Sequence, residues 1–528
     1  MTGPSASSTP PLVVWTIAGT DSGGGAGIAA DQRAADACGV HLCTVVAAVT
    51  AQNSVAVPHV EPLAPAVIEA QIAALEHDMP PAAVKTGLLG GVAQIEAVAR
   101  AIDRLRNAGP LPLVVDPVLG ATSGASFADD RVVGAYRRWL LPRATLLTPN
   151  RREALRLTGL DENTDSPTLA RALRDAGAAA VVVTGGDDRT GDGLARDWID
   201  TPHAAGWLAL PRIDTPHTHA TGCTFAAAAA AAMARGFVAA DAAVLGKMAA
   251  TAALRHGHAA GQGAGPVKAR AGFAADPSLM PQLSWGEAPR FAPFGVAQAA
   301  SAPLGLYAIA DSAARIAALL ATGVRTLQLR IKTPEAPDAA WHAALRAEVG
   351  QAVADCRAAG AQLFVNDHHA LARACGATGL HLGQEDVLAL GEADREALRA
   401  PGAPALGISS HSLWELARAR SLAPRYIACG PVWPTTTKAM PWRPQGLHNL
   451  AWWCRMAGAP VAAIGGILAP EQAAAVAGCG ADAVCVVRGL GDDSAATVPG
   501  FRAAVEAGAT AAPPSAAVDW PLPSLRPL

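Results

Sequence analysis

Short apolar runs alternate with longer alanine-rich stretches along the first half of the chain. The apolar runs predict strands at 12–19, 42–51, 83–89, 113–118, 145–150 and 180–186. Because these runs are apolar almost throughout and helical stretches separate them, the pattern indicates a parallel sheet covered by helices on both faces. We therefore expect an α/β fold for this half.

The pattern becomes more regular in the second half. Strands are predicted at 304–311, 325–330, 362–367, 379–383, 405–410, 426–430, 461–467 and 483–489, and an alanine-rich helical stretch follows each of them. Eight such units in about 200 residues are typical of a TIM (β/α)8 barrel, whose active sites lie at the carboxyl ends of the strands. Polar side chains gather at those ends: Gln328, Arg330, Asn366, Asp367 and Ser409.

A segment of weak pattern, 272–302, separates the two halves. It is rich in Pro, Ala and Gly, and we interpret it as a linker. A chain of 528 residues is also too long for a single core. The predicted organisation is a first domain at 12–271, a second at 303–511 and a Pro-rich tail at 512–528.

Composition excludes several classes of function. Apolar residues make up 51% of the chain and the formal net charge is −3 without a long basic run, so nucleic acid is not an expected partner. The longest bland run, 226–234, is too short to span a bilayer and no signal peptide is recognised, so we expect no membrane partner and a cytoplasmic location. The nine cysteines form no CxxC pair, and neither a zinc site nor a disulfide framework is indicated. Small-molecule substrates are the expected partners, and a homodimer is left open.

The strongest chemical signal of the first half is the run HTHATGCTF at 217–225, which leads directly into a predicted helix. Small residues at a helix start let the free amide N–H groups and the positive helix end face an anion. The run therefore predicts a turn that cradles a phosphate. Its cysteine is unexpected, because a kinase ordinarily has a carboxylate at this place.

Two further turns are candidates for nucleotide contacts. Asn150 and Glu153 follow a strand three residues apart, and such a pair could hold a hydrated Mg²⁺. An N-cap followed by a first-turn glutamate explains the same spacing equally well. The run VVVTGGDD ends a strand in glycines, which suits a turn that faces a nucleotide and makes Thr184 and Gly186 candidates.

Six motifs of the first half resemble the hydroxymethylpyrimidine and hydroxymethylpyrimidine-phosphate kinases of the ribokinase-like fold. They occur in order over nearly all of 12–268: AGTD with GGAGI and AD, TAQN, VKTGLL, VVDPV, LLTPN with EA, and TH with TGCT. The resemblance implies a ribokinase-like α/β sandwich. It also implies ATP-dependent phosphorylation of hydroxymethylpyrimidine and then of its monophosphate.

The same resemblance implies roles for individual residues. Gln52 would hydrogen-bond the pyrimidine, with Asp21 near the same pocket. Cys223 would lie beside the reacting oxygen, and the amides of 221–223, including those of Thr221 and Gly222, would form the anion hole. Ala220 departs from the family, which usually has glycine there, and is tolerable if its φ is negative.

A thiol beside the acceptor has a chemical interpretation. The second acceptor is a phosphate, which is a nucleophile without help from a base. A carboxylate beside it would add like-charge repulsion, whereas a thiol can stay neutral or ionise at a helix start. We therefore predict that Cys223→Ala slows phosphorylation of the alcohol more than phosphorylation of the monophosphate.

The second half carries charged side chains that packing does not explain. In the run LQLRIK, Gln328, Arg330 and Lys332 are predicted to share one face of a strand end. Asp367 and Asp386 follow neighbouring strands and suit one Mg²⁺ that keeps waters and bridges phosphate oxygens.

Phosphate-binding groups are expected at two further places. The run PTTTK at 434–438 offers hydroxyls and an ammonium, and Gly466 in IGGI lies at the usual phosphate position of the barrel fold. Together with GLYAIAD, LFVND, HLGQED and PQGL, these motifs resemble thiamine phosphate synthase over 304–490. The resemblance implies coupling of the pyrimidine diphosphate with thiazole phosphate and release of diphosphate.

Carried over residue by residue, this second resemblance implies three sets of ligands. The pyrimidine diphosphate would be held by Gln328, Arg330, Lys332, Asn366, Ser409 and Lys438. The thiazole phosphate would be bound by Thr435, Thr436, Thr437, Gly466, Val487 and Arg488. Mg²⁺ would be bound by Asp367 and Asp386. Arg488 replaces a serine common in the family; it could grip the phosphate bidentately or occlude the site, and we favour the first.

The expected coupling reaction needs no general base. If diphosphate departs before the thiazole nitrogen attacks, the cations and Mg²⁺ stabilise the charge on the leaving oxygens. His368, His369 and His381 are accordingly interpreted as structural or as supporting other site residues. The cofactors expected of the whole chain are Mg²⁺ and ATP, the latter as substrate.

Other readings of the chain remain open. The first half could be a pyrimidine-sensing regulator fused to a barrel similar to a thiazole tautomerase, although Cys223 and the full diphosphate set speak against it. The first half could also be a pyridoxal or sugar kinase, and Gln52 with the cysteine run speaks against a sugar kinase.

Overall fold

The structure, a computed structural model, describes residues 10–120, 127–186, 191–295, 302–435, 441–511 and 518–526. The polypeptide divides between two units. The first holds the described residues up to 274 with 286–289 and 526, and the second holds 275–285 with the described residues of 290–525.

A twisted sheet forms the centre of the first unit. Its strands are β1 (Val13–Gly19), β2 (His41–Ala51), β3 (His59–Pro62), β4 (Ala83–Thr86), β5 (Leu113–Val115), β6 (Leu146–Leu147), β7 (Val181–Val183), β8 (Leu194–Asp200) and β9 (Ala205–Pro211). These strands follow the order β9-β8-β7-β6-β5-β4-β1-β2-β3. The inner strands are parallel, whereas β3 is antiparallel to β2, and β8 is antiparallel to both β7 and β9.

All six strands predicted for this half are present, and the α/β fold class is confirmed. The sequence pattern did not reveal β3, β8 and β9. The run LARDWID of β8 mixes charged and apolar residues and buries only part of its length, so it lacks the continuous apolar pattern of a central strand. The edge strand β3 has four residues, which is too short for a periodic signal.

Helices cover the sheet of the first unit on both faces. They are α1 (Gly27–Cys38), α2 (Pro65–Glu76), α3 (Val92–Arg106), α4 (Asp130–Ala135), α5 (Arg151–Thr158), α6 (Ser166–Asp175), α7 (Thr221–Ala234) and α8 (Ala239–Arg255), with a π-helical turn at Tyr136–Leu140 and a 3-10 turn at Leu141–Arg143. The alanines at 226–232 of α7 are all buried. Because alanine keeps the helix surface narrow, α7 packs closely on α8, and a Cβ at Gly246 would lie 3.1 Å from the Phe225 carbonyl oxygen.

The second unit contains a closed barrel of eight parallel strands. They are β11 (Gly305–Ala310), β12 (Thr326–Leu329), β13 (Gln362–Asn366), β14 (Gly379–Leu382), β15 (Ala405–Ser410), β16 (Tyr426–Cys429), β17 (Val461–Ile464) and β18 (Ala483–Val486), and a two-residue strand, β10 (Gln282–Leu283), precedes them. Each predicted barrel strand is present and β18 pairs with β11 to close the ring, as the TIM-barrel prediction requires.

The barrel helices are α9 (Ala313–Ala321), α10 (Ala339–Ala358), α11 (His369–Cys375), α12 (Gln384–Ala389), α13 (Glu392–Ala397), α14 (Leu413–Arg420), α15 (Gly446–Met456), α16 (Pro470–Gly478) and α17 (Ser494–Thr510). The described part of the predicted linker 272–302 is not a free spacer, because Leu279, Met280 and Trp285 are buried. The tail also packs at its end: the Asn449 side chain exchanges two hydrogen bonds with the backbone of Leu522. No helix of the described residues is long and apolar enough to cross a membrane.

Candidate active sites

The turn between β1 and α1 is organised around Asp21. Its carboxylate accepts hydrogen bonds from the amides of Gly23, Gly25 and Ala26 at 2.8, 3.0 and 2.7 Å, and the ring Nε2 of His219 lies 3.2 Å from Oδ2. Burial alone would raise the pKa of Asp21, but the bonds from His219 and the amides outweigh it and lower the pKa. A Cβ at Gly25 would lie 2.5 Å from the His219 ring, so this close approach needs glycine.

Gln52 lies beside the same His219 ring, and its contact with the pyrimidine stays a prediction. Its amide Nε2 is 3.4 Å from His219 Nε2, so His219 joins Gln52 to Asp21. A cavity of about 290 Å³ opens here, and Asp21, His219, Asn53 and Ser54 are among its lining residues. Its size suits a small heterocycle.

Beneath the start of α7 lies a buried cluster of charged groups. The Lys85 ammonium contacts both carboxylate oxygens of Asp31 at 2.9 and 3.0 Å, and Asp116 Oδ2 lies 3.8 Å away. The Thr16 hydroxyl donates to Asp31 at 2.6 Å. The Cys223 thiol lies near enough to Asp116 to lower the pKa of that carboxyl. The Cys223 thiol therefore lies near the ammonium of Lys85 and the carboxylates of Asp31 and Asp116.

Burial sets the protonation of this cluster. It raises the pKa of the Cys223 thiol to about 12, and Lys85 opposes this only in part. Burial also raises the pKa of Asp116 to about 6, against the lowering effect of Lys85. For Lys85, burial lowers the pKa, but Asp31, Cys223 and Asp116 together outweigh burial and raise it above its ordinary value. At neutral pH the site therefore holds a neutral thiol and a charged lysine.

Sequence reasoning missed Lys85, Asp31 and Asp116 as members of this site. A signal was available, because Lys85 lies in the apolar run VKTGLL and Asp116 in the apolar run VVDPV. A charge within a predicted buried strand requires a partner, and each of these runs ends beside the predicted phosphate turn.

The predicted phosphate turn has an unexpected backbone. Ala220 has a φ of 69°, in the left-handed region, so the negative φ that would make alanine readily tolerable here is not adopted. Both the amide and the hydroxyl of Thr221 donate to the Thr218 carbonyl, at 3.3 and 2.7 Å. Among the bonds of the described residues, none engages the amides of Gly222 and Cys223, which leaves these two for an anion.

The candidate nucleotide contacts have mixed outcomes. Asn150 and Glu153 form a capping box at the start of α5, in which each side chain accepts the other's amide at 2.9 Å. Glu153 also accepts from the Leu119 amide at 3.3 Å, so the spacing has its structural explanation and metal binding stays a prediction. Thr184 pairs with Asn150 in an isolated β-bridge, and Gly186 is exposed beside it.

In the second unit, the predicted alternation along one strand face holds only at its start. β12 ends at Leu329. The Arg330 amide still donates one backbone hydrogen bond, but the chain then leaves the sheet. Gln328 is 3% exposed and lies inside the barrel, Arg330 is half-buried and Lys332 is exposed. The three side chains therefore run from the interior to the surface.

Asp367 and Asp386 come together at the barrel mouth, where Asn366 ends β13. Their side chains are within hydrogen-bond contact, and Asp386 also accepts from the Gly383 amide at 2.8 Å. Burial, and then the Asp386 carboxylate, raise the pKa of Asp367. Asp367 has a φ of 64°, and its amide donates to the His381 carbonyl at 3.0 Å.

These two carboxylates fit a hard cation. Two adjacent like charges are unfavourable unless a cation lies between them. Among the described residues, no group of three or more His, Cys, Asp or Glu side chains could hold a metal. Two carboxylates with waters and substrate phosphates are the ligand set that Mg²⁺ prefers.

Ser409 lies at the end of β15 with His381 behind it. The His381 Nε2 and the Ser409 hydroxyl are 2.9 Å apart. Burial lowers the pKa of His381 to about 3, so the imidazole is neutral.

Of the predicted thiazole phosphate residues, Gly466 follows β17, and Val487 and Arg488 follow β18. Gly466 has a φ of 74°, and a Cβ there would lie 2.6 Å from Trp433 Cβ, so the turn requires glycine. Thr435 is half-buried, whereas Val487 and Arg488 are exposed. Thr436 and Thr437 of this set lie outside the described residues, as does Lys438, which is predicted to hold the pyrimidine diphosphate.

Comparisons with known proteins agree with this division of the chain. A family model described as phosphomethylpyrimidine kinase matches residues 21–268, and one described as thiamine monophosphate synthase matches 306–490. A probable thiamine biosynthetic bifunctional enzyme, chloroplastic, of Oryza sativa subsp. japonica is 33% identical over 469 residues, covering 86% of this chain and 81% of the relative.

Individual relatives of the first half are closer in sequence. A hydroxymethylpyrimidine/phosphomethylpyrimidine kinase of Synechococcus elongatus is 44% identical over 257 residues, which cover 48% of this chain and 96% of the relative. Among solved structures, an ADP complex of Bacillus subtilis pyridoxal kinase is 33% identical with a TM-score of 0.45, covering 49% of this chain and 97% of that chain.

Proposed function

The chain belongs to the family of bifunctional thiamine biosynthetic enzymes, and we propose that its two units catalyse consecutive steps. The first unit phosphorylates hydroxymethylpyrimidine and then its monophosphate with ATP. The second couples the resulting diphosphate to hydroxyethylthiazole phosphate and releases diphosphate. The observation that carries the proposal is that the chain contains both sites, and that the product of the first is the substrate of the second.

In the kinase step, the bond from the γ-phosphorus to ADP breaks as a bond to the acceptor oxygen forms. We assign the pyrimidine to the cavity beside Asp21, His219 and Gln52, and the transferred phosphoryl group to the amides of Gly222 and Cys223. Phosphoryl transfer depends more on positioning and charge than on a strong base. A neutral thiol is therefore sufficient beside the acceptor.

The buried cluster supports this role of the thiol. Lys85 supplies a positive charge below the transferred group, and Asp31 and Asp116 balance it. A second acceptor that already carries a phosphate meets no uncompensated carboxylate at Cys223, because the charge of Asp116 is shared with Lys85. The same site can therefore accept both the alcohol and the monophosphate.

In the coupling step, the bond between the pyrimidine methylene carbon and the diphosphate breaks, and the thiazole nitrogen attacks that carbon. Arg330 and Lys332 lie on the path from the barrel interior to the surface and would hold the diphosphate oxygens. Asp367 and Asp386 would hold Mg²⁺, which when bound neutralises charge on the leaving group. Gly466 and Arg488 would receive the thiazole phosphate.

The experiment supplies the purified full chain with hydroxymethylpyrimidine, hydroxyethylthiazole phosphate and Mg-ATP, and measures thiamine phosphate by chromatography. We expect thiamine phosphate and diphosphate in equal amounts, with two ADP formed for each. Omitting the thiazole phosphate should stop the reaction at the pyrimidine diphosphate.

Two comparison reactions separate this proposal from the alternatives. A pyrimidine-sensing regulator would form no ADP with any acceptor. A pyridoxal kinase would phosphorylate pyridoxal faster than hydroxymethylpyrimidine. Either result would contradict the first half of the proposal, and pyrimidine diphosphate left uncoupled beside thiazole phosphate would contradict the second.

A further inference from the structure

Two tyrosines meet inside the barrel, although the whole chain has only three. Tyr307 lies on β11 and Tyr426 on β16, and their hydroxyl oxygens are 2.8 Å apart. Both side chains are 1% exposed, so no water competes for these hydroxyls. Burial raises the pKa of both tyrosines far above the ordinary value, so each hydroxyl keeps its hydrogen.

Hydrogen bonds connect this tyrosine pair to other polar residues on two sides. On one side, the Gln328 Nε2 donates to the Tyr307 hydroxyl at 3.3 Å. On the other side, the Tyr426 hydroxyl lies 2.7 Å from His381 Nδ1, and His381 Nε2 lies 2.9 Å from the Ser409 hydroxyl. The ends of this hydrogen-bonded chain are therefore Gln328 and Ser409, both of which are predicted to hold the pyrimidine diphosphate.

The available hydrogens determine which group donates at each step of this hydrogen-bonded chain. Tyr307 accepts from the Gln328 amide, so its own hydrogen goes to Tyr426. Tyr426 then has its hydrogen left for His381 Nδ1, which must be unprotonated to accept it. A neutral imidazole carries its hydrogen on the other nitrogen, so His381 Nε2 donates to Ser409. Ser409 accepts from behind, and its own hydrogen is left for a ligand.

We propose that Tyr307, Tyr426 and His381 are positioning residues that make the Ser409 hydroxyl a donor to the pyrimidine diphosphate. This inference rests on the proposed function of the barrel. Of the two interpretations of His381 given above, it favours support of another site residue, because the imidazole transmits a fixed hydrogen-bond direction to Ser409.

The ligand's chemistry agrees with this direction. Diphosphate oxygens accept hydrogen bonds and donate none, so a hydroxyl that faces them must donate. The opposite direction requires the Gln328 amide to turn its oxygen inward, and it would point the Ser409 oxygen lone pairs at the anion. That arrangement repels the predicted substrate.

The first test replaces one hydroxyl and keeps the ring. Tyr426→Phe removes the bonds to Tyr307 and His381 but retains the stacking of the Tyr426 ring on His381, whose centroids are 5.6 Å apart. We expect the KM for the pyrimidine diphosphate to rise about tenfold, because the charge-assisted hydrogen bond from Ser409 to the diphosphate is lost. The KM for thiazole phosphate should stay within twofold.

The matched control is Tyr136→Phe, which removes the hydroxyl of the third tyrosine, a buried residue of the first unit that donates to the Gly87 carbonyl. It should leave both synthase KM values unchanged. Equal KM values for the pyrimidine diphosphate in Tyr426→Phe and wild type would overturn the proposal.

The second test determines the hydrogen positions directly in the wild-type chain, and a variant serves only to assign the signal. Nitrogen NMR of the full chain with ¹⁵N-labelled histidine identifies the His381 tautomer, assigned by the signal that disappears in His381→Gln. A hydrogen on Nε2 alone is expected. A hydrogen on Nδ1, or on both nitrogens, at neutral pH would overturn the proposal.

The two tests also separate this inference from the proposed function. If the wild-type protein forms no thiamine phosphate from supplied pyrimidine diphosphate, the function of the barrel is wrong, and the donor role of Ser409 toward that ligand falls with it. If the wild type forms thiamine phosphate and Tyr426→Phe has wild-type kinetics, only the positioning role is wrong.

Discussion

The two candidate sites balance their charges in opposite ways. In the first unit, Lys85 lies between Asp31 and Asp116, and all three side chains are buried. In the second unit, Asp367 and Asp386 place like charges in contact at the barrel mouth, and the pKa of Asp367 is raised by burial and by its neighbour. The first site contains its own counterion, whereas the second, under the proposed function, needs a cation from solution.

This difference predicts where substitutions act. Removing one member of a balanced buried cluster leaves an uncompensated charge in the core, which lowers stability. Removing one member of a repelling pair relieves the folded protein and harms ligand binding instead. Substitutions in the first site should therefore lower mainly the stability of the protein, and substitutions in the second should lower mainly its activity.

The largest expected effect is that of Lys85→Met. It leaves Asp31 buried without its ammonium partner, and the free energy of unfolding should fall by about 3–5 kcal/mol. Calorimetry of the full chain should show a lower melting temperature for the transition of the first unit. The double variant with Asp31→Asn should recover part of this loss, because the uncompensated charge is gone.

A surface pair provides the control for that prediction. Arg104→Met removes an exposed ion pair with Glu76, whose contact is 3.2 Å, and should cost less than about 1 kcal/mol. Similar losses in Lys85→Met and Arg104→Met would contradict the view that the first site depends on a buried balance.

Asp367→Asn tests the opposite behaviour in the barrel. Asparagine tolerates the left-handed backbone at this position, so the fold is retained. We expect thiamine phosphate formation from supplied pyrimidine diphosphate to slow about 100-fold, because one of two ligands to the cation is lost. The melting temperature should stay equal or rise.

The comparison for this variant is Asp338→Asn, at the N-cap of α10, where asparagine caps a helix as well as aspartate does. Its synthase rate should be that of the wild type. A lower melting temperature in Asp367→Asn with a normal rate would reverse the expected contrast between the sites.

Cys223→Ala should have a smaller and selective effect. The neutral thiol, whose pKa burial raises to about 12, can assist the alcohol but is not needed by a phosphate acceptor. Phosphorylation of hydroxymethylpyrimidine should slow about tenfold more than phosphorylation of its monophosphate, corresponding to one hydrogen bond. Separate single-turnover assays with each acceptor measure this ratio.

Cys38→Ala is the matched control, because burial raises the pKa of that thiol to about 12 as well and it lies at the end of α1. The ratio of the two kinase steps should not change in this variant. Equal slowing of both steps in Cys223→Ala would show that the thiol acts on the transferred phosphoryl group rather than on the acceptor.

The contrast between the sites also explains what could be predicted from the sequence. The barrel could be predicted because its strands are contiguous apolar runs, so Asp367 and Ser409 could be placed at the carboxyl ends of strands by position alone. The cluster around Lys85 was not found, because its partner Asp31 lies 54 residues away in the sequence, on α1, and only the packing of that helix on the sheet brings them together.

The direction of the His381 hydrogen-bond chain was beyond sequence reasoning for the same reason. It depends on Tyr307 and Tyr426, which are 119 residues apart, and on interatomic distances that no spacing rule contains. The left-handed backbone at Ala220 could not be predicted from the sequence for a different reason. Local sequence does not specify φ at a helix start when the following helix and its packing determine the turn.

The smallest effect is expected at Ala220, and it follows from three opposing contributions. Glycine relieves a left-handed alanine by about 1–2 kcal/mol, but it loses about 0.5–1 kcal/mol in backbone entropy and about 0.8 kcal/mol for a buried methyl group. Ala220→Gly should therefore change the free energy of unfolding by less than about 1 kcal/mol. Ala231→Gly, inside α7 where φ is right-handed and alanine is buried, has no strain to relieve and should cost about 2 kcal/mol. If calorimetry showed that both variants lose the same free energy of unfolding, the backbone strain at Ala220 would be negligible.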